Sequence, residues 1–171
     1  IKYFKYKGIK LINIVRKDEQ IEELKAEGAD YVLNSQASGF EEKLKEIVEK
    51  ENATVAFDAI SGDFTNKIVR ALQPKSTVYV YGGLEGYSVQ NVEITELFKG
   101  KIVTGFLIYN YFEELKKKGE LKKFYDDVHE LLPTVFYSKV QKSFPMSQLD
   151  EALAYYKENS SKGKVLLRPN Y

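Results

Sequence analysis

"GIKLINIVRKDEQIEELKAEGADYVLN", residues 8–34, carries the pattern that decides the fold. An apolar run ending Ile12-Asn13-Ile14-Val15 stops at two cations, Arg16 and Lys17. The run reads as a strand over residues 10–15. Asp18 is a residue type that N-caps helices, and the polar stretch after it predicts a helix to about Glu27, closed by Gly28. "DYVLN", residues 30–34, then reads as a second short strand. A strand, a helix and a strand in quick succession form the repeating unit of a parallel sheet.

The same alternation extends in both directions. "IKYFKYK", residues 1–7, reads as the end of a helix punctuated by Gly8. "FEEKLKEIVEK" places Phe40, Leu44, Ile47 and Val48 on one helical face. "TVAFDAI", residues 54–60, is a strand that stops at Ser61-Gly62, and Phe64, Ile68, Val69 and Leu72 line the next helix before Pro74. "TVYVYGG", residues 77–83, and "KIVTGFLIY", residues 101–109, are further strands. A helix follows with Leu121, Phe124, Val128, Leu131 and Leu132 facing a core, then an extended "KVQKSFP". A last helix buries Leu149, Ala152, Leu153 and Tyr156, and "GKVLLRP" closes as a strand. The lysine-rich "ELKKKGE" predicts a boundary between a first domain, residues 1–115, and a second segment, residues 116–171.

Composition narrows the function. Of 171 residues, 43% are hydrophobic and 30% charged, the balance of a water-soluble globular chain. A net charge of +1 argues against a nucleic-acid binder working through a basic surface. No run approaches the length of a membrane span. With no cysteine and one histidine, His129, neither a disulfide framework nor a zinc site is expected. His129 reads as a surface or partly packed residue, Glu113-Glu114 and Asp126-Asp127 as solvated helix faces, and "ELKKKGELKK" as a solvated loop.

Three strand ends carry the candidate chemistry. In a dinucleotide fold the ligand lies beyond the carboxyl ends of the strands. Arg or Lys after the second strand pairs with a 2′-phosphate through charge-assisted hydrogen bonds, whereas an acidic residue favours the free ribose. Arg16-Lys17 fits the first case, although taken alone two solvated cations at a strand end are the commoner explanation. "FDAISG" and "YVYGGL" each place glycine just past a strand, where a ligand could approach the backbone. Asp58 reads equally well as a turn residue.

The order of these motifs resembles the medium-chain dehydrogenase/reductase superfamily, in its zinc-independent quinone oxidoreductase and enoyl thioester reductase branches. "INIVRKD", "YGGL" and "FKGKIVTGF" are most similar to mitochondrial 2-enoyl thioester reductases. In that group the strand ends Val-Arg-Asp-Arg, so here Lys17 would replace the second arginine. The resemblance implies an α/β fold with a Rossmann-like doubly wound parallel sheet, followed by a C-terminal segment of a GroES-like catalytic domain. It implies an NADPH-dependent oxidoreductase that reduces an enoyl thioester or a quinone by hydride transfer, without zinc. It also implies that Arg16 and Lys17 hold the 2′-phosphate. Tyr81, Gly82, Gly83 and Leu84 would pass along the nicotinamide half, with Phe106, Leu107 and Ile108 at its end. Lys164 would reach back from the C-terminal segment. Family members commonly pair edge strands into homodimers, which makes residues 101–109 the expected dimer edge. The family's first strand and its glycine loop are expected before residue 1, together with the catalytic domain and its tyrosine. No catalytic residue is therefore assigned, and these residues alone are expected to bind NADPH weakly and show no turnover. A non-catalytic relative that keeps the fold is the alternative. An intracellular setting, cytoplasm or mitochondrial matrix, is expected.

Overall fold

The structure is a computed structural model and describes residues 1–160 and 162–169. The chain divides into two compact units, with Tyr3–Lys122 forming the body of the first and the chain from Lys123 the body of the second. In the first unit the order is α1 (Lys2–Tyr6), β1 (Ile12–Val15), α2 (Glu19–Ala26), β2 (Tyr31–Asn34), α3 (Phe40–Glu51) and β3 (Val55–Asp58). It continues through α4 (Asp63–Ala71), β4 (Thr77–Val80), α5 (Ile94–Leu97), β5 (Ile102–Gly105) and α6 (Ile108–Lys118). Every strand pairing among the described residues of this unit is parallel, as the strand–helix alternation requires. The architecture is Rossmann-like α/β, but its sheet is in two parts, β1-β2 and β3-β4-β5.

The two parts share one core. Strand side chains alternate between faces, so Ile12, Ile14 and Leu33 face the same cluster as Ala56, Val78, Val80 and Val103. Helices α3 and α4 cover that face with Phe40, Leu44, Val48, Ile68, Val69 and Leu72. Val48, Val69 and Val78 are at most 2% exposed. On the opposite face Phe57 stacks on Tyr79 at 5.7 Å, Phe4 of α1 reaches Phe57 at 6.4 Å, and Tyr111 of α6 reaches Phe106 at 6.4 Å. The lower edge is tied by Glu51, which accepts from Lys10 Nζ at 2.8 Å and from the Tyr31 hydroxyl at 2.5 Å. Those two hydrogen bonds hold the Glu51 carboxyl below its ordinary range.

Two expectations are corrected. Asp18 precedes α2 but has helical dihedrals and no capping hydrogen bond; its carboxylate accepts from Asn34 Nδ2 at 2.7 Å instead. The strand expected over residues 101–109 ends at Gly105, and Ile108 and Tyr109 open α6. That stretch is apolar throughout, so its composition does not distinguish a strand from a buried helix start. Short α5 lacks the length to show a period and was not anticipated.

The second unit contains α7 (Leu121–Leu131, which begins just before it), β6 (Val140–Pro145), α8 (Leu149–Asn159) and β7 (Lys164–Arg168). Here the buried faces differ from the expectation. α7 has no buried residue, and in α8 only Ala152 is buried, while Leu149, Leu153 and Tyr156 are exposed. The parallel pair β6-β7 offers α8 a narrow surface, and the contact is made through Phe144 and Tyr155, 5.7 Å apart, with Lys142 Nζ near both rings. Among the described residues no helix is long and apolar enough to cross a membrane.

One ion pair locks the end of the sheet. Lys101 enters β5 with its side chain 3% exposed, donating to Glu96 Oε2 at 2.5 Å and to the Val69 carbonyl at 2.7 Å. It thereby joins α5, α4 and β5. Burial pushes the Glu96 carboxyl up and is the largest single influence, but hydrogen bonds from Lys101 and Lys99 outweigh it and hold the carboxyl below its ordinary 4.5. The stabilisation is therefore complete above pH 4.5 and is lost as pH falls through the lowered folded value. Glu96→Gln is expected to cost about 3 kcal/mol at neutral pH, because it leaves a buried ammonium without its counter-charge. In urea titrations across a pH series, the deficit should shrink below pH 4.5.

Candidate functional site

The carboxyl ends of β1, β3, β4 and β5 carry every residue proposed from the first unit. At β1 the chain bends, and the Gln20 side chain accepts both the Arg16 and Lys17 backbone N–H groups at 3.2 Å. The bend is thus fixed by the first turn of α2 rather than by Asp18. Arg16 and Lys17 are exposed, and neither side chain forms an ion pair among the described residues. Ser35 N–H donates to the Val15 carbonyl at 2.8 Å, and Asn34 Oδ1 accepts from Gln36 N–H at 2.9 Å, so the end of β2 is held beside them. Gln20 and Asn34 were not recognised from sequence. Both are ordinary polar residues in a helix and a strand, and only their partners reveal the role.

Asp58 is settled as a turn anchor. It is 3% exposed; Oδ1 accepts from Ile60 N–H at 2.7 Å and Ser61 N–H at 3.1 Å, and Oδ2 accepts from the Thr65 hydroxyl at 2.6 Å. These contacts hold Ser61 at φ 68°, a left-handed conformation that costs a non-glycine residue energy. The next loop zips against this turn: Leu84 and Glu85 N–H donate to the Ala59 and Ile60 carbonyls at 3.1 and 2.9 Å, and Gly62 N–H donates to the Ser88 carbonyl at 3.1 Å.

That zip gives Gly82 and Gly83 a steric reason. A Cβ on Gly82 would lie 2.8 Å from the Ala59 carbonyl oxygen, and one on Gly83 would lie 2.5 Å from that of Gly86. Neither glycine has positive φ, so close backbone approach is what demands them.

Tyr81, Gly82, Gly83, Phe106 and Leu107 line one cavity of about 890 Å³, together with Ser61, Thr104 and Asn110. Among the described residues no ionisable acid or base other than tyrosine lines it. Leu84 and Ile108 are not among its lining residues, and Leu84 is 75% exposed. Arg16 and Lys17 belong to the other part of the sheet, and Lys164 opens β7 in the second unit. Among the described residues no group of three or more His, Cys, Asp or Glu side chains could hold a metal ion.

A parallel α/β unit with its principal loops and an open cavity at the strands' carboxyl ends has the form of a nucleotide-binding domain. The family model described as zinc-binding dehydrogenase matches residues 1–123, and the chain belongs to that family, within the medium-chain dehydrogenase/reductase superfamily. It is 23% identical over 171 residues to a mitochondrial enoyl-[acyl-carrier-protein] reductase of Dictyostelium discoideum, covering 98% of this chain and 49% of the relative. It is 23% identical to a 2-haloacrylate reductase of a Burkholderia species, covering 99% and 51%. Among solved structures it superposes with a TM-score of 0.82 on one described as an NADPH:quinone reductase from Mesorhizobium loti, at 27% identity over 99% of this chain and 48% of that one. The chain thus spans about half the length of these relatives.

Gly82→Ala is expected to destabilise the first unit by about 1–3 kcal/mol, since backbone rather than a flexible side chain must move to admit the methyl group. Chemical denaturation with no nucleotide added checks this. An unchanged midpoint would mean that the Ala59 turn is not packed as described.

Proposed function

We propose that the complete protein is an NADPH-dependent reductase of an activated carbon–carbon double bond, with an enoyl thioester or a quinone as substrate class. The observation that carries this reading is the pair of free cations, Arg16 and Lys17, at the end of β1 in the row of strand ends that contains the cavity. Their chemistry fits a phosphate monoester on the adenosine ribose, with Lys17 as a point charge and Arg16 offering a planar fork. The cavity's uncharged lining fits a neutral aromatic ring beside Gly82 and Gly83, with Phe106 and Leu107 limiting water. NADPH, when bound, supplies the hydride; this chain's residues bind, orient and shield it. Lys164 is proposed to reach the cofactor from the second unit, and Leu84 and Ile108 to close around its outer side. The names of the three relatives, all reductases, support the reaction class. With no cysteine and one histidine in the sequence, the reading requires no zinc. Residues 1–115 are read as the cofactor domain and residues 116–171 as a return toward the catalytic domain.

In the complete protein, replacing Arg16 and Lys17 with Ala should weaken NADPH far more than NADH, each lost charge-assisted contact costing on the order of 1–3 kcal/mol. Titration of both cofactors decides; equal losses would sink the assignment.

A homodimer through β5 belongs to the same proposal. β5 lies at the edge of its sheet, with Ile102 55% exposed. Ile102 and Phe106 N–H groups donate inward to the Ser76 and Val80 carbonyls at 2.8 Å. The alternate residue Val103 therefore presents its amide at the free edge. Val103→Pro should remove that donor and yield monomers in sedimentation equilibrium, whereas Ile108, which opens α6, is not a position that tests the edge.

A further inference from the structure

Ser61 has properties that the turn it belongs to does not require. Its φ is 68°, a conformation that glycine adopts freely and serine only at a cost. The Asp58 anchor uses only the Ser61 backbone, whose N–H donates to Oδ1 at 3.1 Å, and a glycine there would donate equally well. The residue is 3% exposed, yet it lines the cavity of about 890 Å³. Its hydroxyl donates to the Ser88 carbonyl at 3.3 Å, longer than the roughly 2.5–3.0 Å of a good O–H···O bond. That carbonyl already accepts from Gly62 N–H at 3.1 Å, so the loop does not depend on the hydroxyl. Among the described residues no donor reaches Ser61 Oγ, whose own acceptor capacity is unused. The other non-glycine residues at positive φ, Asn52, Lys75 and Asn91, do not line this cavity. A side chain kept at a backbone cost that the turn itself does not explain points to the cavity.

We propose that Ser61 positions the ligand in this cavity: its Oγ accepts a hydrogen bond from the occupant while its own proton stays on the Ser88 carbonyl. The ligand must then carry a neutral N–H or O–H donor at that point. An anionic group would need the proton turned away from Ser88, and among the described lining residues it would find no cation. A cationic group would find no carboxylate there to offset its loss of water. The inference deepens the NADPH reading given above and rests on it. Two donors on the nicotinamide half have this chemistry, the ribose hydroxyls and the carboxamide NH2, and both are attached to the flat ring that the uncharged lining fits. Serine in place of glycine thus exchanges an easy backbone conformation for a ligand contact. The same hydroxyl would join the ligand to the loop after β4 through Ser88, and a chain of hydrogen bonds of this kind strengthens its members.

The test uses the complete protein and two variants, Ser61→Gly and Ser61→Ala. Glycine removes the hydroxyl and the strain together, whereas alanine removes the hydroxyl and keeps the Cβ. With no nucleotide added, the urea midpoint of Ser61→Gly should equal or exceed that of the wild type. A clear fall overturns the proposal, because the turn itself would then need the serine. Calorimetric titration should show NADPH bound about three- to tenfold more weakly by both variants. The titrations are repeated with two reduced cofactor analogues, one with an acetyl group in place of the carboxamide and one lacking both hydroxyls of the nicotinamide ribose. At least one of them should bind the wild type and both variants equally, which identifies the donor. Unchanged NADPH affinity in the variants overturns the proposal. Equal losses for NADPH and both analogues overturn it too, since the effect then runs through the fold. A wild-type protein that does not bind NADPH overturns the cofactor reading itself, and the inference falls with it; every other outcome leaves that reading standing.

Discussion

The layer formed by α3 and α4 is the constraint on which the first unit depends. Among the described residues no ladder of hydrogen bonds joins β1-β2 to β3-β4-β5. What holds them in register is burial of both inner faces against the same helices: Ile12, Ile14 and Leu33 from one part and Ala56 and Val78 from the other meet Leu44, Val48, Ile68 and Val69. Side-chain packing therefore does here what a backbone ladder does in a continuous sheet. Packing is less directional than hydrogen bonding, which makes the close fit of Val48 and Val69 more consequential than in a sheet whose strands already fix one another.

The same arrangement explains what was legible in the sequence. Each strand of the first unit is a short, mostly apolar run bounded by turn residues, and each helix that covers the core repeats its apolar residues at helical spacing. Local chemistry and global packing agree there, so the fold could be read directly. The readings failed where local chemistry is ambiguous or where the partner surface is small. Ile108 and Tyr109 have strand composition but lie beyond Gly105, where the ladder ends. Leu149, Leu153 and Tyr156 follow helical spacing, yet the surface offered by β6-β7 takes only the adjacent stripe with Ala152 and Tyr155. Periodicity tells that a helix has an apolar face; it does not tell how much of that face the neighbouring element can cover.

The site was legible by residue type and not by role. Arg16 and Lys17 stood out because cations interrupt an apolar run, and the structure leaves both side chains exposed. The glycines at residues 82 and 83 stand out as a pair, but no local pattern marks the Ala59 and Gly86 backbones as their immediate neighbours. Asp58 reads equally well as a turn residue at a strand end, and its three hydrogen bonds show it to be spent on the turn. Gln20 has no signature at all, since a glutamine in a first helical turn is commonplace until its two backbone partners are seen.

These details bear on how the strand ends could recognise a ligand. A site made of loops is precise only if the loops are held independently of what they bind. Here Asp58 fixes the first turn, the first turn carries the loop after β4 through backbone hydrogen bonds, and Gly82 and Gly83 allow that contact to close. On the other part of the sheet Gln20 fixes the bend that carries Arg16 and Lys17. Each half of the row is tied by its own hydrogen bonds, and their separation depends on the α3–α4 layer. A ligand that touched both halves would read that separation directly. Assembly of the α3–α4 core would then set the distance between the cations and the cavity, and with it the geometry of the site.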